Sequence, residues 1–359
     1  MDTFFKLDRR GFMGLSGAGL LAGCATAETK SETLKTNSWG AKERLVESGE
    51  VTLKVYEMGE GPLVLLVHGW PELAYSWRYQ MPALAAAGYK VVAPDMRGYG
   101  DSDNPFEVSA YTIQKLTQDL VNIIDFYGED KASLVGHDWG AIVSWHAVLL
   151  HPTRFDSYFA MSVPYDGRSP IPPVDGMSVA MQDNFFYILY FQKDGVAEAE
   201  FDANPRAILS RLYLEPDSPR MPPELTDPKM AAGGWIPRLG KPTASPSWLS
   251  DADLDYYVSK FEASGFRGGI NYYRNFNNNW KSTPQLEGAT IDIPVKFLAG
   301  EQDVVIRGAN AESLEKRMSA TCNDFRGVIL YPDTGHWVQQ EEAERVNADL
   351  IAFLSEIER

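Results

Sequence analysis

Ala132-Ser133-Leu134-Val135-Gly136-His137-Asp138-Trp139-Gly140-Ala141 is the stretch on which the reading of the fold turns. Ala132–Val135 is an apolar run, and Ala141–Leu150 carries a helical pattern. Between them stands Gly-x-Asp-x-Gly, a strand-to-helix turn with a carboxylate at its tip. The flanking glycines leave room for a strained turn that lifts one side chain above the sheet. An ordinary helix N-cap is the competing reading of Asp138, because Asp accepts readily from the first free N–H groups of a helix. The rest of the chain has to decide between the two.

Working outward, strand and helix patterns alternate. Arg44–Glu47 and Val51–Glu57 read as a hairpin around Ser48-Gly49-Glu50. Leu63–Val67 and Tyr89–Ala93 are continuous apolar runs, as in strands buried on both faces. Helical patterns lie at Pro82–Ala87 and at Thr112–Tyr127, where Leu116, Leu120, Ile123 and Ile124 share one side. This alternation predicts a mostly parallel, doubly wound α/β sheet. The composition changes near Ser162. Residues 163–181, with Pro164, Pro170, Pro172 and Pro173, read as a long linker. Helical, aromatic patterns follow at Phe185–Phe191, Ala197–Leu214, Asp251–Phe261 and Ile270–Trp280. Strand patterns return at Pro294–Leu298 and Val328–Tyr331, and a helix closes the chain at Glu341–Ile357. The simplest organisation is one α/β core over 28–162 and 282–359, interrupted by a helical cap over 163–281. Leu214–Trp248 holds eight prolines and reads as a lid loop over a pocket or as a long surface connection.

Composition narrows the classes. The 359 residues are 44% hydrophobic and 23% charged, which excludes wholesale disorder, collagen and coiled coil. A net charge of −16 repels phosphate backbones and argues against nucleic-acid binding. No apolar run reaches the ~20 residues of a membrane span. Residues 1–27 read as an export signal. Arg9-Arg10-Gly11-Phe12 precedes the apolar Leu15–Gly23, which resembles a twin-arginine signal. Leu21-Ala22-Gly23-Cys24 reads as a lipobox, with Cys24 as the lipidated residue, and Ala25-Thr26-Ala27 as an alternative cleavage site. The expected location is therefore the periplasm, free or anchored to a membrane through Cys24. Cys322, the only other cysteine, is then a buried free thiol.

Four loop positions carry the chemistry. Asp138 is the first. His68-Gly69-Trp70-Pro71 ends the third strand, where the N–H of Trp70, with that of Trp139 after the elbow, would form an oxyanion hole. The His68 ring itself reads as structural. Asp303 follows the Pro294–Leu298 strand, and His336 follows the last one. Nucleophile, acid and His in this order are the order of α/β-hydrolases. Of five histidines, His336 alone is free to act as a base, since the other four lie in strand, elbow and helix contexts. No cluster at metal-ligand spacing is evident, and neither a metal nor a cofactor is expected.

With these residues the sequence resembles the epoxide hydrolases of the α/β-hydrolase superfamily over most of 41–359. The resemblance rests on His68-Gly69-Trp70-Pro71-Glu72, Asp95-Met96-Arg97-Gly98-Tyr99-Gly100, the Asp elbow and Gly335-His336-Trp337. It extends to Tyr187-Ile188-Leu189-Tyr190-Phe191-Gln192 and to Ser264-Gly265-Phe266-Arg267-Gly268 with Asn271-Tyr272-Tyr273-Arg274. It implies an eight-stranded sheet and two ring-opening tyrosines, Tyr187 and Tyr273. Tyr190 and Tyr272 are the neighbours that would only pack. Trp70, Pro71, Trp139, Phe191 and Trp337 are expected to wall an apolar pocket for a small-molecule epoxide.

The residue types suit that substrate. Attack by Ser on a saturated epoxide carbon would leave an ether, whereas attack by a carboxylate leaves an ester that His and water can cleave. Tyrosines, with a reference pKa of about 10, stay protonated and can protonate the opening oxygen. The nearest rival is a haloalkane or haloacid dehalogenase, which uses the same Asp-ester chemistry. Its halide leaves without a proton, so the two tyrosines favour the epoxide. An ester or lactone hydrolase is disfavoured because acylated Asp would be an anhydride. A catalytically silent binding protein is disfavoured by the complete set of groups.

Overall fold

The computed structural model describes residues 36–357. The export signal expected over 1–27, with Arg9, Arg10 and Cys24, lies outside the described residues. In chain order the first half runs β1 (Lys42–Ser48), β2 (Val51–Met58), β3 (Leu63–Val67), α1 (Gln80–Ala86), β4 (Lys90–Pro94), α2 (Ile113–Phe126), β5 (Ala132–His137), α3 (Trp139–Leu150) and β6 (Phe155–Met161). Seven helices follow: α4 (Pro173–Met181), α5 (Tyr187–Phe191), α6 (Val196–Asp202), α7 (Pro205–Leu212), α8 (Asp251–Ser264), α9 (Arg267–Arg274) and α10 (Phe276–Ser282). The chain then returns as β7 (Val295–Gly300), α11 (Ala311–Met318), β8 (Phe325–Tyr331), α12 (Val338–Glu341) and α13 (Ala343–Ser355).

The sheet has eight strands in the order β1-β2-β4-β3-β5-β6-β7-β8. The pairs β1–β2 and β2–β4 are antiparallel, and every other pair is parallel. All five residues of β3 and all six of β5 are buried, which explains their unbroken apolar sequence. The strand order reverses around β3, and the loops after β3, β5, β7 and β8 open on the same end of the sheet, where open α/β sheets build their sites. In α2 the buried Ile113, Leu116, Leu120, Ile123 and Ile124 form one stripe against the sheet. Cys322 is a buried free cysteine. Among the described residues no helix is long and apolar enough to cross a membrane.

Several elements differ from the sequence reading. The linker expected over 163–181 contains α4, which starts on Pro172-Pro173. Proline at the first helical position lacks only an N–H that would have no partner there anyway, so here it opens a helix instead of breaking one. The helix expected over Ala197–Leu214 is two, because Asn204 caps α7 by accepting from the Ala207 N–H and Pro205 is its first residue. The Ile270–Trp280 pattern is likewise divided between α9 and α10. β6 and α11 were not marked by any pattern.

Candidate active site

Asp138 stands between β5 and α3 with φ +53° and ψ −119°, a backbone conformation that side chains other than glycine's rarely adopt. The surrounding close approach explains the glycines. A Cβ on Gly140 would lie 1.9 Å from the Val67 carbonyl oxygen, and one on Gly69 would lie 2.5 Å from the Asp138 Cβ. Asp138 does not cap α3 with its side chain. Its Oδ1 instead accepts the Trp70 N–H at 2.7 Å, across the sheet from the loop after β3. Burial pushes the Asp138 carboxyl up. The charges of His336 and His137 and the N–H groups of Trp70 and Trp139 work against that shift.

Asp303 and His336 arrive from the ends of β7 and β8. His336 Nδ1 donates to Asp303 Oδ1 at 2.9 Å, and the same oxygen accepts the Val305 N–H at 2.9 Å. His336 Nε2 faces Asp138 Oδ2 at 3.7 Å. Burial alone would lower the imidazole, but the Asp303 and Asp138 carboxylates outweigh it and push it up to about 9. The three side chains named from sequence are thus in line: acid, imidazole, carboxylate.

A cavity of about 450 Å³ opens over them, lined by Asp138, His336, Tyr187, Tyr273, Trp70, Pro71 and Trp337 among others. Tyr187 from α5 and Tyr273 from α9 face each other with ring centroids 5.8 Å apart. Burial, then nearby negative charge, raises both phenols, so both stay protonated donors. Their neighbours are occupied elsewhere: Tyr190 donates to Glu200 Oε2 at 2.8 Å and Tyr272 to the Arg97 carbonyl at 2.9 Å. Phe191 and Trp139, expected in the pocket wall, stand behind it. Phe191 is fully buried edge-on against Trp70 and Tyr273, and Trp139 is edge-on to Tyr273 at 5.0 Å. His68 is structural, as expected: its Nε2 accepts the Met96 N–H at 2.9 Å, and burial lowers it to about 4.

The proline-rich 214–248 stretch is more than a surface connection, since Leu214, Glu215, Pro216, Arg220 and Trp235 line the cavity. Trp235 stacks on Trp70 at 5.8 Å and on Tyr187 at 4.8 Å. Its N–H and that of Ile236 are held by Glu200 at 2.9 Å each. Sequence reasoning passed over this residue because an isolated Trp in a loop carries no signal of what it stacks on.

A second His–carboxylate pair was also missed. Glu72 accepts from Gly69 N–H, His137 Nδ1 and the side-chain amides of Gln339 and Gln340, a donor set that fits only an ionised carboxylate. His137 Nε2 faces the His336 carbonyl oxygen at 2.7 Å, so both ring nitrogens face acceptors. Removing either partner of such a buried pair typically costs about 3–5 kcal/mol. Ser162, at φ +70°, adds its hydroxyl 3.1 Å from His336 Nδ1. Among the described residues no group of His, Cys, Asp and Glu could hold a metal ion.

A mostly parallel eight-stranded sheet, with Asp, Asp and His at the ends of β5, β7 and β8, defines an α/β-hydrolase, and the family model for the α/β-hydrolase fold matches residues 62–343. The chain is 44% identical to epoxide hydrolase A of Mycobacterium tuberculosis over 322 residues, which span 88% of this chain and 98% of that protein. It is 37% identical to epoxide hydrolase 3 of Siraitia grosvenorii, over 86% of this chain and 97% of that one. The crystal structure of epoxide hydrolase A from Mycobacterium thermoresistibile superposes with a TM-score of 0.82 at 45% identity, covering 89% of this chain and 99% of the other. The chain belongs to the epoxide hydrolases of the α/β-hydrolase superfamily.

Proposed function

We propose that this protein converts an epoxide to its vicinal diol through an ester on Asp138. The observation that carries the reading is the arrangement of one cavity: a carboxylate backed by an imidazole on one side, two protonated phenols on the other. Asp138 Oδ2 attacks an epoxide carbon and its C–O bond breaks. Tyr187 or Tyr273 gives its proton to the released oxygen, leaving a hydroxyalkyl ester and a tyrosinate. Water then adds to the Asp138 carbonyl carbon while His336, oriented by Asp303, takes its proton. The oxyanion forms on Oδ1, already under the Trp70 N–H, with the Trp139 N–H beside it. Collapse expels the diol, whose alkoxide takes the proton from His336. The proton left on Asp138 makes up for the one given by the tyrosine. Epoxide and water are consumed, and the enzyme is restored without a cofactor.

His336 is an imidazolium at neutral pH while Asp138 is charged. Esterification removes that charge, so the imidazolium loses part of what raised it, passes its proton to the tyrosinate and becomes a base when the base is needed. The proton left on Asp138 at the end of the cycle returns to the imidazole. Two phenols over the carboxylate favour an oxygen leaving group over a halide. The test is diol formation from a panel of aryl and alkyl epoxides by the native protein and by Asp138→Ala. Diol from the native chain alone is expected, and diol from the variant overturns the nucleophile assignment. We also propose export through the Arg9-Arg10 signal with Cys24 as the lipid-bearing residue, on the sequence pattern alone. Cys24→Ser should release the protein from membranes into the soluble periplasmic fraction, and an unchanged distribution overturns the anchor.

A further inference from the structure

The loop that presents His336 is held by one carboxylate. Glu341 Oε2 accepts the Gly335 N–H at 2.6 Å, and Oε1 accepts the Trp337 N–H at 2.8 Å. The two donors are the residues on either side of His336, so the carboxylate straddles the catalytic position from behind. The packing is close: a Cβ on Gly335 would lie 3.0 Å from Glu341 Oε1 and 3.0 Å from Pro216 Cδ. Glu341 is the last residue of α12, a four-residue turn too short to hold its shape unaided. Around it the loop is pinned at two further points, the His336 carbonyl by His137 and the Trp337 indole, which donates to the Leu212 carbonyl at 2.9 Å.

Resting on the two-step reading above, we propose that Glu341 is a positioning residue for the second step: its two hydrogen bonds fix the His336 ring where it can activate water on the Asp138 ester. The first step needs only the charge near Asp138, which tolerates small displacements, whereas proton abstraction requires His336 within hydrogen-bond reach of the water. The charged groups acting on Glu341 include His336 and, from the segment after α7, Glu215. Burial pushes the carboxyl up to about 7, against the two N–H groups and His336, while Glu215 adds to the rise. Protonation leaves one of the two N–H groups facing a weak acceptor, and the clamp loosens on the acid side.

The experiment is single-turnover kinetics with a reactive aryl epoxide, with ester on Asp138 followed by mass spectrometry and diol by chromatography. Glu341→Gln keeps the size but has one acceptor for two N–H groups. Expected is ester formation within about threefold of native and ester hydrolysis slowed by between ten- and a hundredfold, with Glu341→Asp closer to native than Gln. The acid limb of native ester hydrolysis should be steeper than that of Glu341→Gln, which lacks the second titrating carboxyl. Native-like hydrolysis in Glu341→Gln, or equal loss of both steps, overturns the proposal. An acid limb no steeper in the native enzyme than in Glu341→Gln also overturns it. Absence of any ester in a native enzyme that makes diol would instead refute the two-step reading, and so would be told apart.

Discussion

Replacing His336 by Gln separates the two half-reactions, and the geometry gives the size of each effect. The imidazolium lies 3.7 Å from Asp138 Oδ2. At an effective dielectric of roughly 20, a unit charge at that distance is worth on the order of 4 kcal/mol, all of it favouring ionised Asp138. Its loss moves the buried Asp138 carboxyl further up, so ester formation slows near neutrality and recovers on the alkaline side. Ester hydrolysis loses its general base at every pH, a loss of about 10²–10⁴-fold, or roughly 3–5 kcal/mol of barrier. The assay is rapid quench on the alkaline side of neutrality, with intact-protein mass and peptide mapping. His336→Gln should gain the mass of one substrate on Asp138 and release one equivalent of epoxide consumption before stalling. Steady diol production within tenfold of native, or epoxide consumption without an adduct, would refute the reasoning.

Tyr187→Phe and Tyr273→Phe should each slow ester formation by about 10²–10³-fold, the usual cost of one donor to a developing oxyanion. Tyr272→Phe, whose hydroxyl serves the Arg97 carbonyl, should leave ester formation within a few fold. An equal loss in all three would remove the distinction drawn between them. Asp138→Asn takes away a charge that raises His336, so NMR titration should place this imidazole below its native value of about 9, yet still raised by Asp303; an unchanged midpoint would contradict the coupling. Gly140→Ala sets a methyl against the Val67 carbonyl, and thermal unfolding should show a loss of about 3 kcal/mol or more; a variant as stable as native would mean the turn has slack the geometry does not show.

The core of this site was legible because its signals are local. Asp138 announces itself through two glycines and a strand on one side, a helix on the other. Asp303 and His336 follow from their places just beyond apolar strands. β6 was harder, since Asp156 and Ser157 interrupt the apolar run. The strand nonetheless lies between β5 and β7, and its polar residues are satisfied there: the Ser157 hydroxyl donates to Ser133 Oγ at 2.8 Å and Asp156 accepts from Ser133 at 2.6 Å. The prolines of 163–181 read as a linker and Pro205 was passed over inside a single helical pattern, although proline also starts helices. Trp235, Glu200, Glu72 and Glu341 act through partners tens to hundreds of residues away or through main-chain N–H groups. Their roles are properties of the assembled fold, and no spacing along the chain records them.

The unequal surroundings of the two Asp138 oxygens give them different lifetimes. Oδ1 is fastened to the Trp70 N–H and, on the proposed mechanism, stays with the enzyme as the oxyanion. On the same mechanism Oδ2, 3.7 Å from His336 Nε2, enters the ester and departs in the diol, so each cycle refills its place from water. In isotopically heavy water the first diol out of each molecule carries an oxygen the enzyme was synthesised with. Later diols carry solvent oxygen. If the Trp70 hydrogen bond holds the carboxylate against rotation throughout, the label on Asp138 levels off at one atom, however many turnovers follow. The side chain is in part a reagent continually replaced, and that one hydrogen bond decides which part.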